Sequence, residues 1–334
     1  MYLLYHLDLN SKIFVKTEFC MTLPDFYIAG FRKCGTTTLC DWLGQHPEIC
    51  APSPKEPNVF AFDDLNSNNF TFFEAKKRWW EADFDEFPER ELKRYNRVFE
   101  KCIENQIKFD GTPNYINSTK ALERIKYYTP EAKIIIMLRH PLHRAISDYN
   151  FTLQQRRASF SFEKHIKYEK TTVLDDSLYL HHLKNLFRIF DSQNVLVLTL
   201  EEMMKDSDKL IKEVASFLDL PDWVPEKNKK NTSIYFHSQN LQVFLNKLPK
   251  LWLGRYNTIN HYNSHLIEEE EFFFNKYATK FINKLGELNK TKKKKQLKIS
   301  SKFQNQLNEY FVRENRGLSK LIGKDLGKLW DLNI

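Results

Sequence analysis

Residues 26–47 read FYIAGFRKCGTTTLCDWLGQHP: a short apolar run, a loop bounded by Gly30 and Gly35, and a helix-forming stretch that stops before Pro47. No other segment constrains the fold as much. A glycine-bounded loop between a strand and a helix belongs to layered α/β architectures, and its backbone N–H groups and the helix amino terminus together cradle an anion. The glycine spacing matches the nucleotide-triphosphate loop G-x-x-x-x-G-K-[ST], in which the lysine follows the second glycine. Here Thr36 and Thr37 take that place, and the loop lysine is Lys33. The chain therefore has a phosphate-type loop with its cation displaced.

The rest of the pattern extends this arrangement. Asp25–Gly30, Ile107–Asp110, Lys133–Leu138 (KIIIML) and Asn194–Leu200 (NVLVLTL) read as strands. The last two are continuously apolar or β-branched, as in parallel strands buried on both faces. Helical spacing lies between them over Ser118–Tyr128, His143–Gln155, Leu174–Phe190 and Lys205–Leu218. The expected fold is α/β, a three-layer arrangement with a central parallel sheet flanked by helices, and ligand contacts at the carboxyl ends of the strands. After Pro225 the character changes. Residues 233–297 show no strand, several helix-length segments and the lysine run KTKKKK, read as a solvated linker. Helical spacing returns in the tail, with Phe303, Leu307, Tyr310 and Phe311 on one face. The organisation expected is an N-terminal arm (1–24), a catalytic domain (25–232 and 298–334), and a helical insertion within it (233–297).

Composition narrows the partners. A formal charge of +8 suits an anionic ligand. Five cysteines, an odd number without a CxxC pair, suit neither a disulfide framework nor a zinc site, so they are expected as reduced thiols, with Cys34 open to alkylation. No run approaches the ~18 apolar residues of a membrane span, and no secretion signal is apparent. The expectation is a cytoplasmic protein with no integral membrane segment and no nucleic-acid partner.

Four stretches carry chemistry. In the loop, Lys33 points a cation at whatever the N–H groups hold, and Thr36, Thr37 and Thr38 add hydroxyl donors. A triphosphate site also needs a strand-end acid for magnesium. KIIIML runs straight into Arg139, leaving Glu201 and Glu202 after VLVLTL, where an acidic pair equally suits the start of a helix. Arg139 at a strand end and Ser147 in the following helix can grip a second phosphate together. In SPKEPNVF, Lys55 and Glu56 sit on a loop stiffened by Pro54 and Pro57, able to curl over the anion site with Glu56 as a general base. In FDGTPNYI a turn places Tyr115 near the mouth of the sheet; with Trp79 and Trp80 it either stacks on sugar rings or packs in a core.

In this order the four stretches resemble the sulfotransferases that use 3′-phosphoadenosine 5′-phosphosulfate (PAPS), and within them the carbohydrate-directed branch, with heparan sulfate sulfotransferases and related bacterial enzymes. The family loop [RK]-K-x-G-T-[TRS]-x-L is matched by Arg32, Lys33, Gly35, Thr36, Thr37 and Leu39, and L-R-x-P-x-x-R-x-x-S-x-Y by Leu138, Arg139, Pro141, Arg144, Ser147 and Tyr149. KEPNVF and GTPNY resemble its K-E-x-x-F-F and K-[TS]-P-x-Y motifs. The likeness spans roughly residues 25–232 and 298–334 and implies a P-loop-like fold. It also implies sulfuryl transfer from PAPS to a hydroxyl or amine on a carbohydrate, without a metal. By resemblance Lys33, Gly35, Thr36 and Thr37 hold the 5′-phosphosulfate, with Arg32, Cys34 and Thr38 completing the loop. Arg139 and Ser147 take the 3′-phosphate, Arg255 adds a cofactor contact, and Lys55, Asn58 and Tyr115 face the acceptor. Lys33 and Glu56 are then the catalytic pair. One departure stands out: the family lysine before Thr-Pro is Gly111 here, preceded by Asp110. The competing reading is a magnesium-dependent nucleotide kinase with a degenerate loop.

Overall fold

The computed structural model describes residues 2–8, 13–19, 22–63, 84–86, 88–168, 172–227, 234–252, 273–293, 297, 299–332 and 334. The expected arm forms an antiparallel hairpin of β1 (Tyr2–Asp8) and β2 (Ile13–Phe19), with Tyr2 opposite Phe19. Next come β3 (Phe26–Ile28), β4 (Ile49–Cys50), β5 (Ile107–Asp110), β6 (Lys133–Leu138) and β7 (Val195–Thr199). They make one parallel sheet in the order β4-β5-β3-β6-β7. In β6 all but Lys133 is buried, which is why it reads as an unbroken apolar run.

Helices cover the sheet. α1 (Thr36–Leu43) follows the loop, α2 (Pro88–Arg97) precedes β5, α3 (Thr119–Tyr128) starts at Ser118, whose hydroxyl accepts from Ala121 N, and α4 (Pro141–Gln154) leaves β6. The expected helix over Leu174–Phe190 is broken into Thr172–Asp175 and Tyr179–Ile189, because Asp176 and Ser177 turn inward to pair with arginines. The C-terminal helix Ser301–Glu314 buries Phe303, Leu307 and Phe311 against Leu142, Ala145, Tyr149 and Leu153 of α4, forming a second core beside the main one.

Two expectations are corrected. Residues 233–297 do hold strands: β8 (Tyr235–Phe236) and β9 (Lys290–Thr291) pair antiparallel and close the base of helices Gln239–Trp252 and Phe273–Leu288. Two-residue strands are too short to show a period, and the lysine run, read as linker, supplies one of them. The cysteines are not all thiols. Cys50 and Cys102 form a disulfide with Cα atoms 5.5 Å apart, joining the end of β4 to the segment after α2. The odd count hid one bonded pair, since folding alone brings together residues 52 positions apart.

The sheet order explains where ligand chemistry gathers. β4 and β5 lie to one side of β3, and β6 and β7 to the other, so the chain direction switches at the β3–β6 boundary. The crevice beyond the strand ends at such a boundary is where open α/β sheets bind ligands. Ile28 of β3 pairs with Ile135 of β6, so the loop after β3 and the residues after β6 emerge side by side. Gly30 permits that closeness: a Cβ there would lie 2.4 Å from Met137 N.

Candidate active site

The loop after β3 curls because two residues take left-handed backbone angles, Lys33 at φ 68 and Gly35 at φ 96. A non-glycine residue in that region is uncommon and strained, and it persists where the surroundings fix it. Arg139 does so by donating from Nη1 to the Lys33 carbonyl at 3.1 Å, while Tyr179 Oη donates to the Arg139 carbonyl at 2.7 Å. α1 opens on Gly35 with no side-chain cap and no acid in its first turn. Its first N–H groups have no intrahelical acceptor, and the dipole adds partial positive charge there.

Cations surround this end. Arg32 reaches Asp176 Oδ2 at 3.3 Å, and Asn117 Nδ2 donates to Asp176 Oδ1 at 3.1 Å. Beneath them Arg144 is fully buried, donating from Nε to Ser177 Oγ at 2.5 Å and from Nη2 to the Val173 carbonyl, and lying 3.4 Å from Asp148 and 3.7 Å from Asp176. Lys33 Nζ rests 4.3 Å from the centroid of the Phe151 ring on α4. Burial pushes the Lys33 ammonium below the ordinary lysine range, Asp148 opposes the shift, and Arg139, Arg32 and Arg144 add to it. Four cations against two buried carboxylates leave a positive excess, which an oxyanion among them would neutralise.

The facing wall is the loop after β4. Lys55 Nζ donates to Thr37 Oγ1 of α1 at 3.0 Å and pairs with Glu56 Oε1 at 2.7 Å. The structure therefore brings Lys55 to the loop helix, with Glu56 paired to it. Glu56 is exposed, Thr36 buried, and Thr38 and Ser147 half-buried.

Other expected residues lie elsewhere. Tyr115 is fully buried, with its ring edge-on to Tyr27, so of its two readings the core one holds. Asn58 is also buried, donating from its backbone N to Thr112 Oγ1 at 3.0 Å. Cys34 is not open to alkylation: it is buried with its Sγ 3.9 Å from Tyr179 Oη, and burial pushes its thiol up to about 12. Arg255, Trp79 and Trp80 lie outside the described residues. Glu201 accepts from His140 N at 3.0 Å and Trp330 Nε1 at 3.1 Å, and Glu202 closes a capping box with Thr199, so this pair starts a helix. The sequence reading missed Asp148, Asp176 and Ser177. Their only signal was polarity in the middle of otherwise apolar helical faces.

Gly111, where the family pattern has lysine, has a steric cause. A Cβ there would lie 2.7 Å from Cys40 Sγ and 3.1 Å from the Lys55 carbonyl, so α1 and the Glu56 loop close over it.

The family model of the sulfotransferase domain matches residues 23–298. Human heparan sulfate glucosamine 3-O-sulfotransferase 3B1 is 27% identical over 214 residues, covering 62% of this chain and 48% of that protein. The bifunctional heparan sulfate N-deacetylase/N-sulfotransferase of Drosophila melanogaster is 23% identical over 294 residues, covering 83% of this chain and 28% of that protein. The chain thus spans about half the length, or less, of these curated relatives. The crystal structure of a sulfotransferase from Alicyclobacillus acidocaldarius superposes with a TM-score of 0.61 at 20% identity, covering 92% of this chain and 99% of that one, a likeness of fold.

Proposed function

This chain belongs to the sulfotransferase-domain family, and from that premise we propose that it moves a sulfuryl group from PAPS to a hydroxyl or amine, on a carbohydrate acceptor. The observation that carries the reading is the uncapped start of α1, with Arg32, Lys33 and Arg139 around it and Glu56 tied to Thr37 through Lys55. This donor set suits a bis-anionic nucleotide held without a magnesium-binding acid. Lys33, Gly35, Thr36 and Thr37 would hold the phosphosulfate, helped by Arg32, Thr38 and the Cys34 backbone, and Arg139 with Ser147 would hold the 3′-phosphate. PAPS supplies the sulfuryl group when bound. Lys33 stabilises negative charge that grows on the bridging oxygen in the transition state, a use of fixed charge that is strong in a partly buried site. Glu56 receives the acceptor proton at Oε2, its Oε1 being engaged by Lys55. A placed base of this kind contributes about 10²- to 10⁴-fold.

Relatives that act on heparan sulfate support a carbohydrate acceptor. Among the described residues, no helix is long and apolar enough to cross a membrane. For location, the Cys50–Cys102 bond favours an oxidising compartment over the cytoplasm expected from the sequence, because such bonds rarely persist in reducing cytosol. The kinase reading is disfavoured by Glu201, whose two oxygens are engaged by His140 and Trp330.

A thermal-shift titration tests this. Adenosine 3′,5′-bisphosphate (PAP) should stabilise the protein with or without magnesium, and ATP should not. Stabilisation by magnesium-ATP alone would sink the proposal. Glu56→Gln should abolish transfer while keeping PAP affinity.

A further inference from the structure

The loop that carries Glu56 is held from below by a network the proposed chemistry does not use. Asp110, at the end of β5, is fully buried. Its Oδ2 accepts from Tyr95 Oη at 2.6 Å and Tyr115 Oη at 2.8 Å, and its Oδ1 accepts from Thr112 N at 2.8 Å. Two of these residues also reach the loop. Thr112 Oγ1 accepts from Asn58 N at 3.0 Å, and Tyr115 Oη accepts from Phe60 N at 3.4 Å.

A hydroxyl has one proton to give, and an ionised carboxylate only accepts. Asp110 therefore draws the Tyr115 hydroxyl proton toward itself and leaves the lone pairs for Phe60 N–H, and it fixes the Thr112 backbone, which carries Oγ1 to Asn58 N–H. An asparagine amide in its place would offer a donor to the Tyr115 hydroxyl and compete with the loop for its lone pairs, and with its nitrogen turned to Thr112 N it would lose that bond. Asn58 lies two residues after Glu56, with the stiff Pro57 between them, and takes a left-handed φ of 55. On the other side of Glu56 the loop is anchored by the Cys50–Cys102 bond and by Ser53 N donating to the Val98 carbonyl at 3.2 Å. Glu56 is thus suspended between two fixed points.

We infer that Asp110 is a positioning residue for sulfuryl transfer, holding the Thr112 backbone and orienting the Tyr115 hydroxyl so that the two residues fix the backbone at Asn58 and Phe60 and hence the carboxylate of Glu56. The inference rests on the reading of Glu56 as the base. Placement matters at this scale, since a misplacement of about 1 Å costs on the order of 10²-fold in rate.

The test compares Asp110→Asn, Thr112→Val, Thr112→Ser and Glu56→Gln in the full chain. Three quantities are read: PAP affinity, transfer from PAPS to chemically desulfated heparan oligosaccharides, and hydrogen–deuterium exchange of the peptide covering residues 55–60. Asp110→Asn and Thr112→Val should lower kcat about 10- to 100-fold with little change in KM or PAP affinity, and exchange at 55–60 should quicken. Thr112→Ser keeps the hydroxyl and should restore both. Thr112→Val carries the test if Asp110→Asn does not fold. Parental kcat, or parental exchange at 55–60, in both disrupted variants overturns the inference. Retained transfer in Glu56→Gln removes the base reading instead. If the parent does not use this probe, the acceptor proposal fails and the exchange data decide the positioning role.

Discussion

Restoring the lysine that the family pattern has at position 111 should damage this protein. A Cβ on Gly111 would stand 2.7 Å from Cys40 Sγ and 3.1 Å from the Lys55 carbonyl. The sulfur belongs to a fully packed side chain on α1, and the carbonyl is backbone of the loop that carries Glu56, so neither yields without moving the site. Overpacking of this kind costs about 1–3 kcal/mol. At about 2.1 cal/mol/K per residue, the unfolding entropy of a 334-residue chain is ~0.7 kcal/mol/K, so Gly111→Ala should lower Tm by about 1.5–4 °C. Gly111→Lys should lose at least as much and transfer more slowly, since pushing the Lys55 carbonyl outward displaces Glu56. Cys40→Ala removes one of the two close contacts. In the double variant the penalties should fall short of their sum by at least ~0.5 kcal/mol, the coupling expected of touching residues. Differential scanning fluorimetry with PAP titration measures all of this. An unchanged Tm for Gly111→Ala, or faster transfer by Gly111→Lys, would refute the steric account and leave the missing lysine unexplained.

Other outcomes follow from the same geometry. Replacing Cys50 and Cys102 by serine should cost about 4 kcal/mol, the chain-entropy value for a loop of this size, read from urea midpoints. Alkylation of the unreduced chain should spare Cys34 and Cys40 until denaturant is added, because burial pushes both thiols up to about 12. Arg139→Lys loses the planar donor that holds the Lys33 carbonyl, and PAP affinity should fall about tenfold or more, about 1.4 kcal/mol, by calorimetry. Burial raises Asp110 to about 6, above its unfolded value near 3.8, against hydrogen bonds from Thr112, Tyr95 and Tyr115 that favour the ionised form. The Asp110 charge in turn adds to the upward push on Tyr95 and Cys40. The folded state thus holds the proton more tightly, so stability relative to Asp110→Asn should drop by up to ~3 kcal/mol as pH rises from about 4 to about 6 and stay level above that. A difference that grows with pH instead would contradict the raised value.

The sequence by itself determined four of the five sheet strands, the displaced lysine loop and the family, because each is written in contiguous residues; the two-residue β4 is too short to show a pattern. KIIIML shows its burial in its own composition, and RKCGTTTL shows its anion chemistry in its own spacing. The same local character placed Lys55 and Glu56 on one loop, and Arg139 at a strand end. Tertiary structure decided what depends on residues far apart in the chain. The disulfide between Cys50 and Cys102, the break at Asp176 that lets it reach Arg32 and Arg144, and the burial of Tyr115 on Asp110 are all of this kind. Cysteine count, helical period and aromatic character carry no information about partners 52 or 144 positions away. Gly111 shows the division most plainly. In the sequence it is a missing cation, and in the fold it is the one residue small enough for α1 and the Glu56 loop to meet.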